Sequence, residues 1–187
     1  MTAPRIYLAG PDVFLPDADA HLAVLEKLCE AAGLQGVRPS DGGLALDSSG
    51  TGEEKAERIF QANVALIRSS DGVLANLCPF RGAVEPDSGT VWETGFAAAL
   101  GKPVHGYLRD HKRPLEQKVQ AAFGVHRDGE GVAWDRAYGL MVEEFGLPTN
   151  LMLARSMATF ESVVHALEAM RALFNRKHLE PPVPIRH

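Results

Sequence analysis

Short apolar runs alternate along this chain with longer segments whose apolar side chains recur every three or four residues. The first run, Arg5–Ala9, predicts a buried strand because it is short, apolar and closed by Gly10 and Pro11. The segment 17–32 has helical spacing and Gly33 as its stop, which predicts a helix. The alternation continues with predicted strands at Val37, 72–77 and 104–108 and predicted helices at 51–67 and 88–100.

The pattern weakens after Asp110. We expect a helix over 114–123, a turn over 126–131, a helix over 134–145, a short strand over 150–154 and a final helix over 157–174. The tail 177–187 holds three prolines, so we expect it to be flexible. The chain is therefore predicted to form one domain, 1–176, followed by that tail.

Strands that alternate with helices at this interval predict an α/β fold with a doubly wound parallel sheet and flanking helices on both faces. Ligands of such sheets bind beyond the carboxyl ends of the strands. Three loops therefore form the predicted binding edge, namely 10–16, 39–52 and 79–88.

Composition narrows the function classes. The chain has 187 residues, 45% of them hydrophobic and 23% charged, which is typical of a globular domain. Its formal net charge of −5 argues against a nucleic-acid partner, because such proteins usually carry a basic surface. The chain shows no apolar run of bilayer length and no signal-peptide pattern, so we expect no membrane partner and a soluble, cytoplasmic protein. Two cysteines and seven histidines show no disulfide framework and no paired metal spacing.

Two acidic residues stand out in the segment 80–96. Asp87 follows Pro86 in a predicted loop, and Glu93 lies six positions later in the next predicted helix. Inside one helix that spacing rotates two side chains roughly 240° apart, so they converge only if Asp87 lies in the loop or cap. A carboxylate pair with separated pKa values suits glycosyl chemistry, with Glu93 as an ionised nucleophile near the helix start and Asp87 as an acid. Taken alone, the spacing favours the structural alternative of a capping aspartate and a surface glutamate.

Two further polar side chains are weaker candidates. Tyr7 lies near the end of the first predicted strand, with two residues between it and Gly10, so its hydroxyl can reach a group above the sheet. Buried tyrosines are, however, more often core residues. Asn63 lies in a predicted helix and faces either the pocket or the outer surface. Ser40 and Asp41, in the second ligand-facing loop, are additional candidates for contact with a ligand.

Four segments taken together resemble one family, the nucleoside 2-deoxyribosyltransferases. They are the first strand with Gly10, Pro11 and Phe14, the segment 70–77, the segment 80–95 with Asp87 and Glu93, and the segment 145–153 with Asn150 and Met152. The resemblance runs from about residue 5 to residue 170. Helix 17–33 and the region 109–135 contain no family signal.

The resemblance implies a flavodoxin-like fold and a double-displacement reaction that needs no metal and no cofactor. It implies that Glu93 attacks C1′ of a 2′-deoxynucleoside, that Asp87 protonates or hydrogen-bonds the departing base, and that the Tyr7 hydroxyl orients Glu93. Substrates would be 2′-deoxynucleosides and free nucleobases. Deoxyribosyl transfer passes through an oxocarbenium-like centre at C1′, and a carboxylate next to C1′ stabilises its positive charge. The chemistry therefore agrees with this assignment.

The same resemblance assigns residues to substrate binding. Gly10 belongs to the matching first segment, and the aromatic ring of Phe14 is suited to stacking on the base. Asn63 stands where some members have an aspartate that contacts the base, which leaves base preference open. Asn150 and Met152 match residues that the family contributes across a subunit interface, so we expect a homo-oligomer in which they complete a neighbouring site.

Two other functions compete with the transferase. One is an N-glycosidase that hydrolyses 2′-deoxynucleosides or their 5′-phosphates; a phosphate substrate would need a phosphate cradle after the first strand, where this chain has Asp12 and Asp17. The other is a noncatalytic nucleotide-binding module on the same fold, which fold alone does not exclude. The combination of Tyr7, Asp87, Glu93 and Asn150 favours the transferase.

Overall fold

A computed structural model describes residues 2–40, 50–82 and 84–177 of the chain. Its centre is a five-stranded sheet in the order β2-β1-β3-β4-β7, in which every neighbouring pair is parallel. The strands are β1 (Arg5–Ala9), β2 (Gln35–Val37), β3 (Gly72–Asn76), β4 (Val104–Tyr107) and β7 (Ala158–Phe160), and a separate antiparallel pair consists of β5 (Val125–Arg127) and β6 (Ala133–Asp135).

Helices connect these strands, and a short 3₁₀ turn, Pro11–Phe14, follows β1. They are α1 (Ala18–Ala31), α2 (Gly52–Ser69), α3 (Ser88–Ala99), α4 (Leu115–Phe123), α5 (Leu151–Ser156) and α6 (Val163–Lys177). The Thr51 hydroxyl accepts a hydrogen bond from the Glu54 amide, and the Glu54 carboxylate accepts one from the Thr51 amide. This reciprocal capping box starts α2 where the sequence predicts it.

The sheet buries both of its faces, as a parallel sheet between two helical layers does. Alternate strand residues point to opposite sides. One core cluster packs strand residues such as Ile6 and Leu74 against α1 and α6. The second packs Tyr7, Val73 and neighbouring strand residues against α2 and α3. Tyr7 therefore lies on the side of the sheet that α3 covers.

The strand order confirms the predicted fold class. The order 2-1-3-4-5 along the sheet is that of the flavodoxin-like doubly wound fold, with its topological switch point between β1 and β3. The carboxyl ends of β1 and β3, together with the start of α3, therefore form the edge where this fold binds ligands.

The predicted helix over 134–145 is wrong. Trp134 lies in β6, and the residues after Asp135 form turns rather than a helix. The Asp135 carboxylate accepts hydrogen bonds from the amides of Tyr138 and Leu140, and Gly139 adopts a positive φ of 69°. A short acidic side chain that captures the amides ahead of it competes with the helical ladder, and here it wins.

Two predicted elements near the C-terminus also need correction. The predicted strand over 150–154 is a helix, because the Asn150 side chain caps the amide of Met152 and starts α5 there. The predicted helix over 157–174 begins only at Val163. The residues before it, Ala158–Phe160, pair with β4 as the edge strand of the sheet.

Some expectations fall outside the described residues. Asp41, most of the predicted loop 39–52 and the tail from residue 178 belong to this group. Within the described ranges, no helix is long and apolar enough to cross a bilayer.

Candidate active site

Tyr7 and Glu93 meet between β1 and α3. The Tyr7 hydroxyl donates a 2.6 Å hydrogen bond to Oε1 of Glu93, although 86 residues separate them in the chain. Tyr7 is completely buried, since it extends from the middle of β1 into the core beneath α3. Its phenol ring is held by packing, so the hydroxyl position is fixed before any ligand arrives.

Glu93 faces the sheet. It lies on the same side of α3 as Thr90 and Ala97, both fully buried, and it is itself only partly exposed. The pKa of Glu93 is raised to about 7, mainly because burial disfavours its charged form; the hydrogen bond from Tyr7 opposes this rise and the nearby Asp87 carboxylate adds to it. The sequence-based expectation that the helix start keeps Glu93 ionised is therefore incomplete, because desolvation is the dominant influence.

Asp87 is the N-cap of α3. Its Oδ2 accepts hydrogen bonds from the Thr90 amide at 2.8 Å and from the Thr90 hydroxyl at 3.0 Å. Asp87 is therefore a capping residue, as the structural alternative expects. This does not exclude a chemical role, because both of these bonds use Oδ2 and no bond to Oδ1 is formed by the described residues. Thr90, which the sequence analysis did not assign a site role, positions this carboxylate, and the spacing Asp87-x-x-Thr90 is the signal that marks it.

An aromatic pair lies on the loops that follow β1 and β3. The rings of Phe14 and Phe80 stack with centroids 5.3 Å apart. The Arg81 guanidinium lies 4.6 Å from the centroid of the Phe80 ring and 5.4 Å from that of Phe14. Phe14 is 59% exposed. Its ring therefore presents a flat apolar surface to solvent next to the ligand-binding edge, and Phe80 and Arg81 are partners that sequence reasoning missed.

A buried polar cluster holds the first loop in place. The Asp12 carboxylate accepts hydrogen bonds from Nδ2 of Asn76 at 3.0 and 3.1 Å, and Nε2 of His21 lies 2.9 Å from it. Gly10 lies against this cluster: a Cβ there would stand 2.8 Å from Cβ of Asn76 and would overlap Oδ2 of Asp12. Gly10 is required because the two loops approach each other closely, and Asp12 has a structural role.

Asn63 lies at the second predicted loop. Its Oδ1 accepts a 2.6 Å hydrogen bond from the Ser40 amide, so helix α2 is tied to the loop that carries Ser40. With Oδ1 engaged in this way, the Asn63 amide group is left to donate from Nδ2. An aspartate in its place would offer only acceptors.

Asn150 and Met152 are not brought to Glu93 within one chain. The Asn150 side chain is held by its own chain, since Nδ2 donates to Oε1 of Glu143 at 2.6 Å and Oδ1 caps the Met152 amide. Oε2 of Glu143 accepts from the Leu151 amide at 2.9 Å. Glu143 is a further residue that sequence reasoning missed; it fixes the start of α5. Met152 is 72% exposed.

The cavity beside Asn150 opens on the other side of α3. A cavity of about 490 Å³ is lined by Val91 and Gly95 of α3 together with Asn150 and Met152. Val91 and Glu93 are two residues apart, which rotates their side chains by roughly 200° around the helix. One chain therefore presents the Tyr7–Glu93 pair on one side of α3 and the Asn150 segment on the opposite side.

The arrangement offers carboxylate chemistry. Within the residues that the structure describes, no group of three or more His, Cys, Asp and Glu side chains is placed to hold a metal ion. The chemically suited groups are a desolvated carboxylate with a fixed phenol donor, a second carboxylate at the start of the same helix and a flat aromatic surface. A pair of carboxylates is the set of groups that most glycosidic-bond chemistry uses.

Sequence comparison identifies the family. The chain belongs to the nucleoside 2-deoxyribosyltransferase family, whose sequence model matches residues 6–152. Membership in this family supports the prediction that the protein is an enzyme, one that either transfers a glycosyl group or cleaves a glycosidic bond. The matched range includes the positions of Tyr7, Asp87, Glu93 and Asn150.

Individual relatives agree with this assignment. A solved 2-deoxyribosyltransferase of Leishmania mexicana is 30% identical, superposes with a TM-score of 0.68, and is matched over 90% of this chain and 97% of its own. An uncharacterized protein of Schizosaccharomyces pombe is 36% identical over 159 residues, covering 80% of this chain and 74% of that protein. A conserved protein of Enterococcus faecalis, 19% identical with a TM-score of 0.59 over 91% of this chain and 99% of its own, shares the fold.

Proposed function

We propose that this protein transfers a 2-deoxyribosyl group from one nucleobase to another by double displacement, with Glu93 as the nucleophile. The observation that supports this most strongly is the Tyr7–Glu93 hydrogen bond beneath the ligand-binding edge of the sheet. The name of the Leishmania relative gives the same activity. The role in the cell would be nucleoside salvage in the cytoplasm.

The first displacement loads the sugar onto the enzyme. Oε2 of Glu93, which does not take part in the bond from Tyr7, attacks C1′ of the 2′-deoxynucleoside. The bond from C1′ to the base nitrogen breaks, and its electron pair leaves with the base. Tyr7 holds Oε1, so the carboxylate keeps one orientation while positive charge develops at C1′.

Asp87 acts on the base. It lies at the start of α3, close enough to Glu93 to raise the pKa of that carboxyl, and Thr90 fixes its Oδ2. Oδ1 donates a proton or a hydrogen bond to the departing base and takes the proton of the incoming one. The incoming base nitrogen then attacks C1′ from the opposite side, and the ester bond breaks to restore the Glu93 carboxylate. Two inversions give overall retention.

The base lies between the loops in this proposal. Phe14, stacked on Phe80, offers the exposed ring on which a purine or pyrimidine stacks. Asn63 contributes Nδ2 as a donor toward an acceptor atom of the base, because Ser40 occupies its Oδ1. Gly10 lets the loop after β1 lie close against Asn76 at the end of β3, which a side chain at this position would prevent.

We further propose that the site is completed by a second copy of the chain. Asn150 and Met152 lie on the side of α3 away from Glu93, and Met152 is largely exposed. In a homo-oligomer they would reach the sugar hydroxyls and the pocket wall of the neighbouring copy. No metal and no cofactor is needed for any step.

The direct test is incubation of the protein with 2′-deoxyinosine and adenine, followed by chromatography of the products. We expect 2′-deoxyadenosine and hypoxanthine. The matched control is Glu93→Gln, which keeps the size of the side chain and removes the nucleophile, and in which exchange should fall by at least about a thousandfold.

The same assay separates the competing functions. Free deoxyribose without 2′-deoxyadenosine would instead identify an N-glycosidase, and replacing 2′-deoxyinosine by its 5′-phosphate extends that arm to nucleotides. No turnover of either compound would leave a nucleotide-binding module and contradict the proposal.

A further inference from the structure

A second cavity lies at the carboxyl ends of β3 and β4, and it includes Pro79, the first residue of the predicted binding loop 79–88. It has a volume of about 530 Å³, within the range of small-molecule pockets. Its walls come from the residues that follow β3, the residues that follow β4, and α4. The lining residues are Cys78, Pro79, Leu108, Arg109, Asp110, Arg113, Lys118, Ala121 and Ala122.

This cavity is separate from the proposed active site. Tyr7, Asp87, Glu93 and Phe14 are not among its lining residues. The two sites share only the loop that begins at Cys78 and continues into the start of α3. A ligand of the cavity can therefore be tested without assuming the transferase reaction.

Two arginines at the cavity are poorly neutralised. Arg109 is exposed and forms no hydrogen bond or ion pair with the part of the chain that the structure describes. Arg113 donates to the Gln117 carbonyl at 3.1 Å, while its distance to Oδ2 of Asp110 is 3.8 Å, too long for a hydrogen bond. Both guanidinium groups thus have donors available for a ligand.

A buried lysine provides the third positive group. Lys118 is only 8% exposed, and its Nζ donates to the Pro148 carbonyl at 2.8 Å. That carbonyl is neutral, and an ammonium group has three donors, so one bond does not satisfy it. Among the described residues no carboxylate is hydrogen-bonded to Lys118, although Asp110 and Glu85 are near enough to influence its charge. A cation held out of water in this way is stabilised further by an anion that enters the cavity.

The charge of the cavity contrasts with that of the molecule. Three cations and one carboxylate line it, whereas the whole chain has a net charge of −5. The excess of two positive charges in the lining matches a doubly charged oxyanion better than a single carboxylate. The apolar residues Pro79, Leu108 and Ala122 form the rest of the wall and suit an organic group attached to that anion.

We propose that this cavity is a binding site for a phosphorylated small molecule, with its phosphate held by Arg109, Arg113 and Lys118. The guanidinium groups offer the fork geometry that pairs with phosphate oxygens, and Lys118 adds a point charge from below. The site uses no glycine-rich phosphate loop; Arg109 and Arg113 lie in the segment between β4 and α4, and Lys118 lies in α4.

The experiment is calorimetric titration of the full chain with inorganic pyrophosphate at low ionic strength. We expect sub-millimolar binding to the wild-type protein that weakens as salt is added. In the double variant Arg109→Gln with Arg113→Gln, the dissociation constant should rise at least about tenfold. Both arginines are exposed, so the fold should persist, and circular dichroism checks this.

Lys112→Gln is the matched control, because Lys112 is an exposed cation between the two arginines that does not line the cavity. It should bind pyrophosphate within about twofold of the wild type, since it lacks direct contact with the ligand. Succinate, a doubly charged dicarboxylate, tests the chemical class and should bind more weakly than pyrophosphate. Absence of pyrophosphate binding to the wild type, equal binding by the double variant, or equal binding of succinate would each overturn the proposal.

Discussion

The Glu93 carboxylate is placed where burial opposes the charge that its proposed reaction requires. Desolvation raises its pKa to about 7, and the hydrogen bond from Tyr7 works in the opposite direction. At neutral pH the free protein therefore holds this group in a mixture of ionised and protonated forms. Positive charge that develops at C1′ of a bound sugar would favour the ionised form at the moment of reaction.

Glu93→Gln is expected to stabilise the protein at alkaline pH. The pKa of Glu93 is raised in the folded state, so its ionisation costs folding free energy that appears as pH rises from about 4.5 to about 7 and stays constant above. The free energy of unfolding of the variant should exceed that of the wild type by about 3 kcal/mol at pH 8, with the gap shrinking toward pH 4.5. Urea unfolding at several pH values measures this.

Glu161→Gln serves as the control for that measurement, because Glu161 is exposed. Its unfolding free energy should follow the wild type at every pH. A gap for Glu93→Gln that does not change with pH would show that the carboxylate is not desolvated.

Tyr7→Phe removes the hydroxyl that donates to Oε1 of Glu93 and keeps the ring in the core. Because that bond lowers the pKa of Glu93, its loss should move the acid limb of the rate profile to higher pH. We expect the exchange rate at pH 7 to fall about tenfold or more. The control is Tyr138→Phe, at a tyrosine that is 72% exposed. An unchanged acid limb in Tyr7→Phe would contradict the role given to Tyr7.

Sequence reasoning at the residue scale brought Tyr7 and Glu93 together, as their hydrogen bond does in the structure, but it did not give their surroundings. The strand position of Tyr7 and the loop position of Asp87 were readable because each follows from one element boundary. The burial of Glu93 was not, since it depends on how closely α3 packs on the sheet. Thr90, Asn76 and Glu143 were missed because their roles come from hydrogen bonds that folding creates.

Among the helices and strands, α3 is capped by one residue, Asp87, with both a structural role and a proposed catalytic role. Asp87 caps the helix through Oδ2 and is also the proposed acid for the base. The two roles use different properties of the side chain: capping needs only an acceptor, whereas catalysis needs an ionisable group. Substitutions can therefore separate them.

Asp87→Ser should keep the cap and lose the acid. We expect its free energy of unfolding to stay near that of the wild type, whereas Asp87→Ala should lose about 1 kcal/mol. Both variants should lose exchange activity by about a hundredfold or more. Thermal unfolding and the base-exchange assay on the same samples measure both effects. Full exchange activity in Asp87→Ser would mean that the residue is only a cap.

The errors in predicted elements share a cause. Around Asp135 and Asn150, a short polar side chain captures backbone amides ahead of it, which starts a turn at the first position and a helix at the second. Apolar periodicity does not record such local competition. The strand Ala158–Phe160 was hidden because its pairing with β4 is a contact between distant parts of the chain.

At the scale of the whole molecule, the two halves of the proposed site lie on opposite sides of α3. The doubly wound parallel sheet was predictable from the alternation of strands and helices, whereas its flavodoxin-like form was implied by the family resemblance. The location of Asn150 relative to Glu93 was not predictable from spacing, since it depends on how α5 packs against α3. This separation leads to a test of assembly.

Mixing two inactive variants should restore activity if the site is shared between copies. Glu93→Gln and Asn150→Ala each disable every site of their own homo-oligomer. After the two are unfolded together and refolded, half of the dimers would be mixed, and each would hold one site with both native residues. We expect about a quarter of wild-type exchange activity, as statistical pairing predicts. Activity no higher than the sum of the separate variants would place Asn150 outside the neighbouring site.

The central claim is that Glu93 forms a covalent bond to the sugar, and intact mass spectrometry tests it most directly. Wild-type protein incubated with 2′-deoxyinosine, without an acceptor base, and then quenched in acid should gain the mass of one deoxyribosyl group. Peptide mapping should locate the group on Glu93, and addition of adenine before the quench should remove it. An adduct on another residue, or exchange at the wild-type rate by Glu93→Gln, would contradict the account.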